Sequence, residues 1–265
     1  MRFSKWHALG NDYLLVARAD AGGPLDPATV RRLCDVHTGI GADGVLEVVS
    51  AGGAEADIVI WNPDGSTAEL SGNGTRIAAR WLAEQAGRRV VRIRVGEREV
   101  VARICDARVV EQEMGDVAVA GLETLTIEGR EVEMTVVSVG NPHAVLRREP
   151  SRDELLRLGP AIERHPRFPE RTNVQLIRVD GCHDVTAAVW ERGAGETTAS
   201  GTSACAAAAA AIANGWCQSP VRVHMPGGTL DVAIVGGKAR LTGPAQEICR
   251  GEVSEELLSE IRSGG

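Results

Sequence analysis

Apolar positions along the chain change period repeatedly, so that short strands alternate with single helices. Phe3, Trp6 and Leu9 recur ahead of the turn Gly10-Asn11-Asp12, and Tyr13 to Ala17 resumes as an apolar strand. Residues 24–36 read as a helix, with Asp26 as N-cap and Pro27 at the first helical position, where a missing N–H costs nothing. Gly39 to Gly44 is a tight loop into a strand over 45–49. A buried strand over 57–61 ends in the turn chemistry of Asn62-Pro63-Asp64-Gly65. Residues 75–85 place Ile77, Ala78, Trp81 and Leu82 on one helical face, closed by Gly87. Short strands follow, through about Val119.

The second half repeats this plan. A strand over 132–139 leads into Gly140-Asn141-Pro142-His143. Residues 151–162 read as a helix whose Ser151 and Glu154 have capping-box spacing. Strands over 173–179 and 185–190 precede a helix over 202–213, closed by Asn214-Gly215. That helix contains the run Ala206 to Ala211 and carries no charge on any face, so it is expected to be buried. Its small side chains would let strands approach closely.

The repeat also keeps its spacing at two places. Trp61 and Ser71 are ten positions apart, as are Trp190 and Ser200, and the second pair lies 129 positions after the first. Leu9-Gly10-Asn11 and Val139-Gly140-Asn141 are offset by 130. The expected architecture is therefore α/β (α+β): two pseudo-symmetric halves, each a sheet curled around one central helix. The expected division is 1–116 and 117–252, with residues 253–265 packing back on the first half and a crossover near Gly115 to Gly121.

A length of 265 residues accommodates two such halves, each able to bury a core. The formal net charge of −7 argues against nucleic acid or an anionic membrane surface as partner. Arg88, Arg89, Arg92 and Arg94 are expected on a solvated strand edge. Met1 leads directly into Arg2-Phe3-Ser4-Lys5-Trp6, with no secretory pattern, and the apolar run 204–213 is too short to span a bilayer. The six cysteines have no CxxC spacing and the six histidines are scattered. Reduced cysteines, a cytoplasmic location and no metal site are expected.

The candidate chemistry lies at two predicted helix starts. Ser71-Gly72-Asn73-Gly74 and Ser200-Gly201-Thr202 would present backbone N–H groups and the positive end of a helix dipole, an arrangement suited to a carboxylate or phosphate. Either serine alone reads as an ordinary N-cap; the matched spacing points to paired sites. Between strand and helix in the second half lies Glu191-Arg192-Gly193-Ala194-Gly195-Glu196. Arg192 there suits bidentate carboxylate binding, and Glu191 suits a base. His143 is an acid/base candidate.

Residues 1–13 (Met-Arg-Phe-Ser-Lys-Trp-His-Ala-Leu-Gly-Asn-Asp-Tyr), 37–44, 62–66, 140–143 and 191–197 together resemble diaminopimelate epimerase, in that family's order and over essentially the whole chain. The resemblance implies two pseudo-symmetric domains with the active site in the cleft between them, and a homodimer. It implies cofactor-independent epimerisation of L,L-diaminopimelate to the meso form, for lysine and cell-wall precursor synthesis. Carried over by position, Asn11, Asn62, Asn141, Asn173, Glu191 and Arg192 would bind this small amino-acid substrate. The backbones of Gly72-Asn73 and Gly201-Thr202 would hold the carboxylate at the reacting centre, and His143 and Glu191 would assist proton transfer.

One departure stands out. The family's two proton-transferring groups are cysteines, and they match Ser71 and Ser200. A thiol of pKa about 8.5 costs only about 2 kcal/mol to deprotonate at pH 7, whereas a serine hydroxyl needs strong local activation. Cys205 is no substitute; five positions past Ser200 inside the helix, it is expected to pack. The serine pair leaves three readings open: a replacement made to hold a ligand, a natural form with slower or different chemistry, and binding without turnover. The rival functions are a racemase or isomerase of the same fold acting on another amino acid, and a non-catalytic amino-acid-binding homologue. The phenazine-type isomerases share the fold but not these motifs.

Overall fold

In the computed structural model, residues 1–263 are described. Gly264 and Gly265, the last two residues of the expected return segment, lie outside that range. The chain divides into two compact units. Unit 1 is Met1–Gln112 together with the described residues from Pro244 onward, and unit 2 is Glu113–Gly243.

Unit 1 begins β1 (Arg2–Ala8), β2 (Asn11–Ala17), α1 (Arg18–Ala21), α2 (Pro27–Cys34), β3 (Val45–Gly52), β4 (Glu55–Trp61) and β5 (Thr67–Ala68). It continues with α3 (Gly72–Ala86), β6 (Val90–Val95), β7 (Arg98–Ile104) and the start of β8 (Val109–Asp116). Unit 2 holds β9 (Ala118–Ile127), β10 (Arg130–Ser138), β11 (Pro142–Arg147), α4 (Arg152–Glu163), β12 (Asn173–Gly181), β13 (Asp184–Glu191) and β14 (Gly195–Thr197). It then holds α5 (Gly201–Ala213), β15 (Val221–Met225), β16 (Gly228–Val235) and β17 (Lys238–Pro244). The chain returns to unit 1 with β18 (Gln246–Glu252) and α6 (Glu255–Ser263).

The two sheets share one wiring. In unit 1 the order is β18-β1-β2-β3-β4-β6-β7-β8, with β5 added to β4. In unit 2 it is β9-β10-β11-β12-β13-β15-β16-β17, with β14 added to β13. Only β2–β3, β4–β6, β11–β12 and β13–β15 run parallel among these neighbours. Each parallel pair needs a crossover, and each crossover is helical. α3 touches β1, β2, β3, β4, β6 and β7, and α5 touches β9 through β13, β15 and β16. Each sheet thus curls round one helix.

Packing follows composition. α3 presents Ile77, Ala78 and Leu82 to Trp6, Leu46, Ile60 and Ile93. In α5 the residues Ala204 through Ala211 are all buried, Cys205 among them. Alanine side chains take strands on every side without a polar stripe, as a uniformly apolar helix requires. Sites such as these tolerate little added volume. The opposite face of the unit 2 sheet is covered by α4 through Leu155, Leu158 and Ile162.

The helix signals hold in detail, with corrections. Asp26 accepts the N–H groups of Ala28 (2.8 Å) and Thr29 (2.9 Å), and Gly87 closes α3 at φ 61°. α3 starts at Gly72, three residues ahead of the expected start, because the glycines accept helical geometry once Ser71 caps them. The capping box of α4 is half made. Ser151 Oγ accepts Glu154 N, but the Glu154 carboxylate turns to Arg148 (2.9 Å) and the Ser151 N–H bonds Glu149 O. Arg92 and Arg94 do not mark a sheet edge. They lie on β6, paired on both sides by β4 and β7, and their side chains reach Glu55 and Glu99 across the outer face. Strand structure after α3 also runs on to Ile127, past the expected Val119.

Candidate active site

The first candidate centre forms where β4 stops. Asn62 follows Trp61 and enters a closed turn: Gly65 N donates to Asn62 O (3.0 Å), and Asn62 Nδ2 donates to Ser66 Oγ (2.9 Å). Gly65 sits at φ 86°, and a Cβ there would lie 2.7 Å from Pro27 O, so the turn requires glycine. Asp64 accepts both the Ser66 hydroxyl and its N–H, which hold its carboxyl below the ordinary range.

Ser71 then caps α3 from extended backbone (φ −136°, ψ 118°), its Oγ accepting Gly74 N at 3.0 Å and standing 3.1 Å from Tyr13 Oη. The opening N–H groups of a helix have no carbonyl four residues back, and the dipole makes this end positive. Asn73 Nδ2 donates to Asn11 Oδ1 (3.2 Å), and Asn11 Nδ2 donates to Asp43 Oδ2 (3.1 Å). Asn11, Ser71, Gly72 and Asn73 are therefore one connected group, with Asn62 on the neighbouring turn.

Two members of this group were not read from the sequence. Arg76 is fully buried, its guanidinium donating to Asn73 Oδ1 (2.6 Å) and Gly72 O (3.1 Å). Gln112 Nε2 also donates to Gly72 O (2.9 Å). A charged residue one turn past a Gly-rich helix start, just ahead of the apolar Ile77-Ala78, is the signal that was available for Arg76.

The second centre repeats the first with different chemistry. Ser200 begins α5 in the same backbone region (φ −141°, ψ 126°) and is 5% exposed, yet its side chain makes no cap bond. Ser200 and Thr197 are instead the side chains that favour the charged form of the buried Glu191 carboxylate. Burial pushes the Glu191 pKa up and these two side chains oppose it; the net position is above the ordinary carboxylate range.

Arg192 is exposed. Its Nη1 donates to Glu170 O (3.1 Å), and it makes no ion pair among the described residues, which leaves guanidinium donors for a ligand carboxylate. The Asn173 amide is engaged at both ends, Nδ2 to Pro142 O (3.0 Å) and Oδ1 from Arg192 N (2.9 Å), and it ties those two loops together.

His143 and Asn173 are register partners on β11 and β12. The fully buried His143 ring uses both nitrogens: Gln175 Nε2 donates to Nδ1 (3.1 Å), so the proton sits on Nε2 and is donated to Asn141 Oδ1 (2.9 Å). Burial lowers its pKa to about 3; the Gln175 bond opposes this and the nearby Arg192 charge adds to it. Cysteine does not stand in at either centre. Cys205 is buried inside α5, and the Cys34 thiol is pushed up to about 11 by burial and by Asp12 and Asp43. All six cysteines are free.

The fold itself defines a class. It matches a hydroxyproline epimerase from Agrobacterium vitis (TM-score 0.68, 18% identity, 96% of this chain and 90% of that one). It also matches a phenazine biosynthesis protein from Bacillus anthracis (TM-score 0.72, 14% identity, 96% and 99%). At these identities the likeness is one of fold alone. Sequence goes further: the family profile of diaminopimelate epimerase matches residues 3–120 and 135–248. The diaminopimelate epimerase of Azotobacter vinelandii is 40% identical, covering 96% of this chain and 99% of its own length. That of Desulfitobacterium hafniense is 38% identical, covering 98% and 100%. The chain belongs to the diaminopimelate epimerase family, a family of isomerases. No helix among the described residues is long and apolar enough to cross a membrane.

Proposed function

We propose that this chain epimerises diaminopimelate between its L,L and meso forms by two-base proton transfer at one α-carbon. The observation that carries this reading is the matched pair of helix starts, with a Ser-Gly in the same backbone conformation at the head of α3 and of α5. Inversion needs a proton acceptor on one face of the carbon and a donor on the other, and Ser71 and Ser200 are the matched pair of hydroxyls. Ser200 is the acceptor in one direction: as its Oγ takes the α-proton, its own proton passes to Glu191. Ser71 is the donor, its lone pair held by Gly74 N so that its O–H is the more acidic for it. The two swap for the reverse direction. Arg192 and the asparagines Asn11, Asn62 and Asn141 bind the amino-acid ends of the substrate, Asn173 holds the loops that carry them, and the N–H groups at Gly72-Asn73 and Gly201-Thr202 receive the carboxylate as charge builds on it.

His143 acts in this scheme through Asn141, as a neutral ring that fixes which face of the amide meets the substrate. Hydroxyls in place of thiols make turnover slow, because an alkoxide is far less accessible than a thiolate at neutral pH. That same substitution favours a second reading, ligand binding without turnover. Incorporation of solvent deuterium at the α-carbon, measured beside calorimetric binding, separates the two. Exchange with binding supports the epimerase; binding without exchange supports the second reading; neither removes diaminopimelate as ligand. A homodimer in the cytoplasm, serving lysine and cell-wall precursor synthesis, completes the proposal. A sedimentation mass near one 28.0 kDa chain at micromolar concentration would remove the dimer.

A further inference from the structure

Two buried carboxylates have so far played no part. Glu47 is fully buried and accepts Trp61 Nε1 at 3.0 Å; Glu163 is 3% exposed and accepts Trp190 Nε1 at 2.8 Å. These are the tryptophans of the ten-residue repeat, and each immediately precedes a candidate site residue, Asn62 in one unit and Glu191 in the other. The repeat is therefore one of an anchored indole ten residues ahead of a helix cap. The second oxygens differ. Glu47 Oε1 accepts Arg18 Nε (2.7 Å) and Leu25 N (3.2 Å), neither of which belongs to the Asn62 turn. Glu163 Oε1 accepts the backbone N–H of Gly193 at 2.9 Å, inside the site loop itself, with an Arg171 guanidinium nitrogen 3.7 Å away.

We infer that Glu163 is a positioning residue for Glu191 and Arg192: one oxygen pins Trp190 just before them and the other pins Gly193 just after. Asn173 Oδ1, accepting Arg192 N, adds a bond between those two anchors. The indole is seated against Gly159 of α4, where a Cβ would fall 2.6 Å from Trp190 Cγ, so helix and loop are keyed together. Only a carboxylate meets this demand. Two donors, an indole N–H and a peptide N–H, approach its two oxygens, whereas a glutamine would turn an NH2 toward one of them. Burial alone would raise the Glu163 pKa, but the Trp190 and Gly193 donors and the Arg171 and Arg164 charges outweigh it. The group is held below the ordinary carboxylate range and stays ionised at neutral pH.

The inference rests on the reading of Glu191 and Arg192 as site residues, and its test has a part independent of that reading. In the full-length protein, amide hydrogen exchange at Gly193 is measured for wild type, E163Q, W190F and E163Q/W190F, alongside calorimetric Kd for diaminopimelate. E163Q should speed Gly193 exchange about tenfold or more and raise Kd by a comparable factor, since a charge-assisted bond is replaced by a donor–donor contact. Amides of α3 serve as the internal control and should be unmoved. Adding W190F removes the indole donor, so the amide introduced by E163Q can turn its oxygen to Gly193. The double variant should then exchange more slowly and bind more tightly than E163Q alone. A residue that merely stabilised the fold would make the double variant worse. Gly193 exchange unchanged in E163Q, faster exchange with unchanged Kd, or a double variant no better than E163Q would each overturn the inference. If wild type does not bind diaminopimelate at all, the functional reading falls while the Gly193 exchange rates still decide the anchoring.

Discussion

Ser71 and Ser200 head α3 and α5 from the same extended backbone region, yet Ser71 Oγ accepts the N–H of Gly74 at 3.0 Å whereas Ser200 makes no cap bond. Two serines with the same backbone geometry thus differ in what their hydroxyls meet. The Ser71 oxygen is held as an acceptor, while the Ser200 side chain favours the charged form of Glu191. The residue after the tryptophan differs as well, Glu191 in unit 2 and Asn62 in unit 1, and only the first can take a proton.

Arg192→Ala should weaken diaminopimelate binding by a few kcal/mol, because a charge-assisted contact to a carboxylate is lost. Arg192 has no ion pair among the described residues, so its removal leaves no buried carboxylate stranded. Calorimetry giving the wild-type affinity for this variant would sink the carboxylate assignment.

Ser71→Cys combined with Ser200→Cys should produce fast epimerisation, with either single change giving much less. Base and acid work as a unit, so their effects are non-additive. A helix start also lowers the pKa of an introduced thiol. The readout is formation of the meso isomer with deuterium uptake from heavy water. A double variant that binds ligand but is no faster than the serine form would rule out the two-face scheme.

Glu191→Gln should abolish exchange yet raise thermal stability at pH 7. The folded-state pKa of Glu191 lies above its ordinary value of 4.5, so the native state binds its proton more tightly than the unfolded chain does. Stability therefore falls as pH rises from that value through the folded pKa, and the neutral amide escapes this loss. The melting temperatures of the two proteins should converge as pH drops toward 4.5; a constant gap would contradict the assignment.

His143 should remain neutral with its proton on Nε2 from pH 8 down to pH 5, visible as invariant ring 15N shifts. Its folded pKa of about 3 lies below the ordinary 6.5, so the unfolded chain binds the extra proton first on acidification. Stability is lost as pH falls from about 6.5 toward 3, and His143→Gln should flatten that limb in urea titrations. A ring that titrates near 6.5 in the folded protein would contradict the buried, doubly bonded geometry.

Gly159→Ala should cost about 1–3 kcal/mol by overpacking against Trp190. The added methyl meets the indole at 2.6 Å, and the indole leads straight into Glu191. Denaturant midpoints check the loss, and Trp190 fluorescence reports the displaced ring.

Much of this protein was legible in one dimension because its signals are local. Asp26 with Pro27, Gly87 after an apolar face, and a chargeless alanine helix each follow from short-range sterics and hydrogen bonding, and each stands in the structure. The 129-residue repeat already implied two units of one design, and the Ser-Gly pairs marked their helix starts. Contacts distant in sequence carried no such mark. Arg76 is buried because Asn73 and the Gly72 carbonyl receive it, and Gln112 reaches Gly72 from forty residues away. β18 completes the sheet of unit 1 from the far end of the chain. His143 offered a titratable ring to a sequence reader, but burial keeps it neutral, and Gln175, 32 positions on, meets its Nδ1. Residue type sets which protonation states and hydrogen bonds are available. Which of them is populated depends on burial and on the partner opposite, and both are decided only when strands remote in sequence pair.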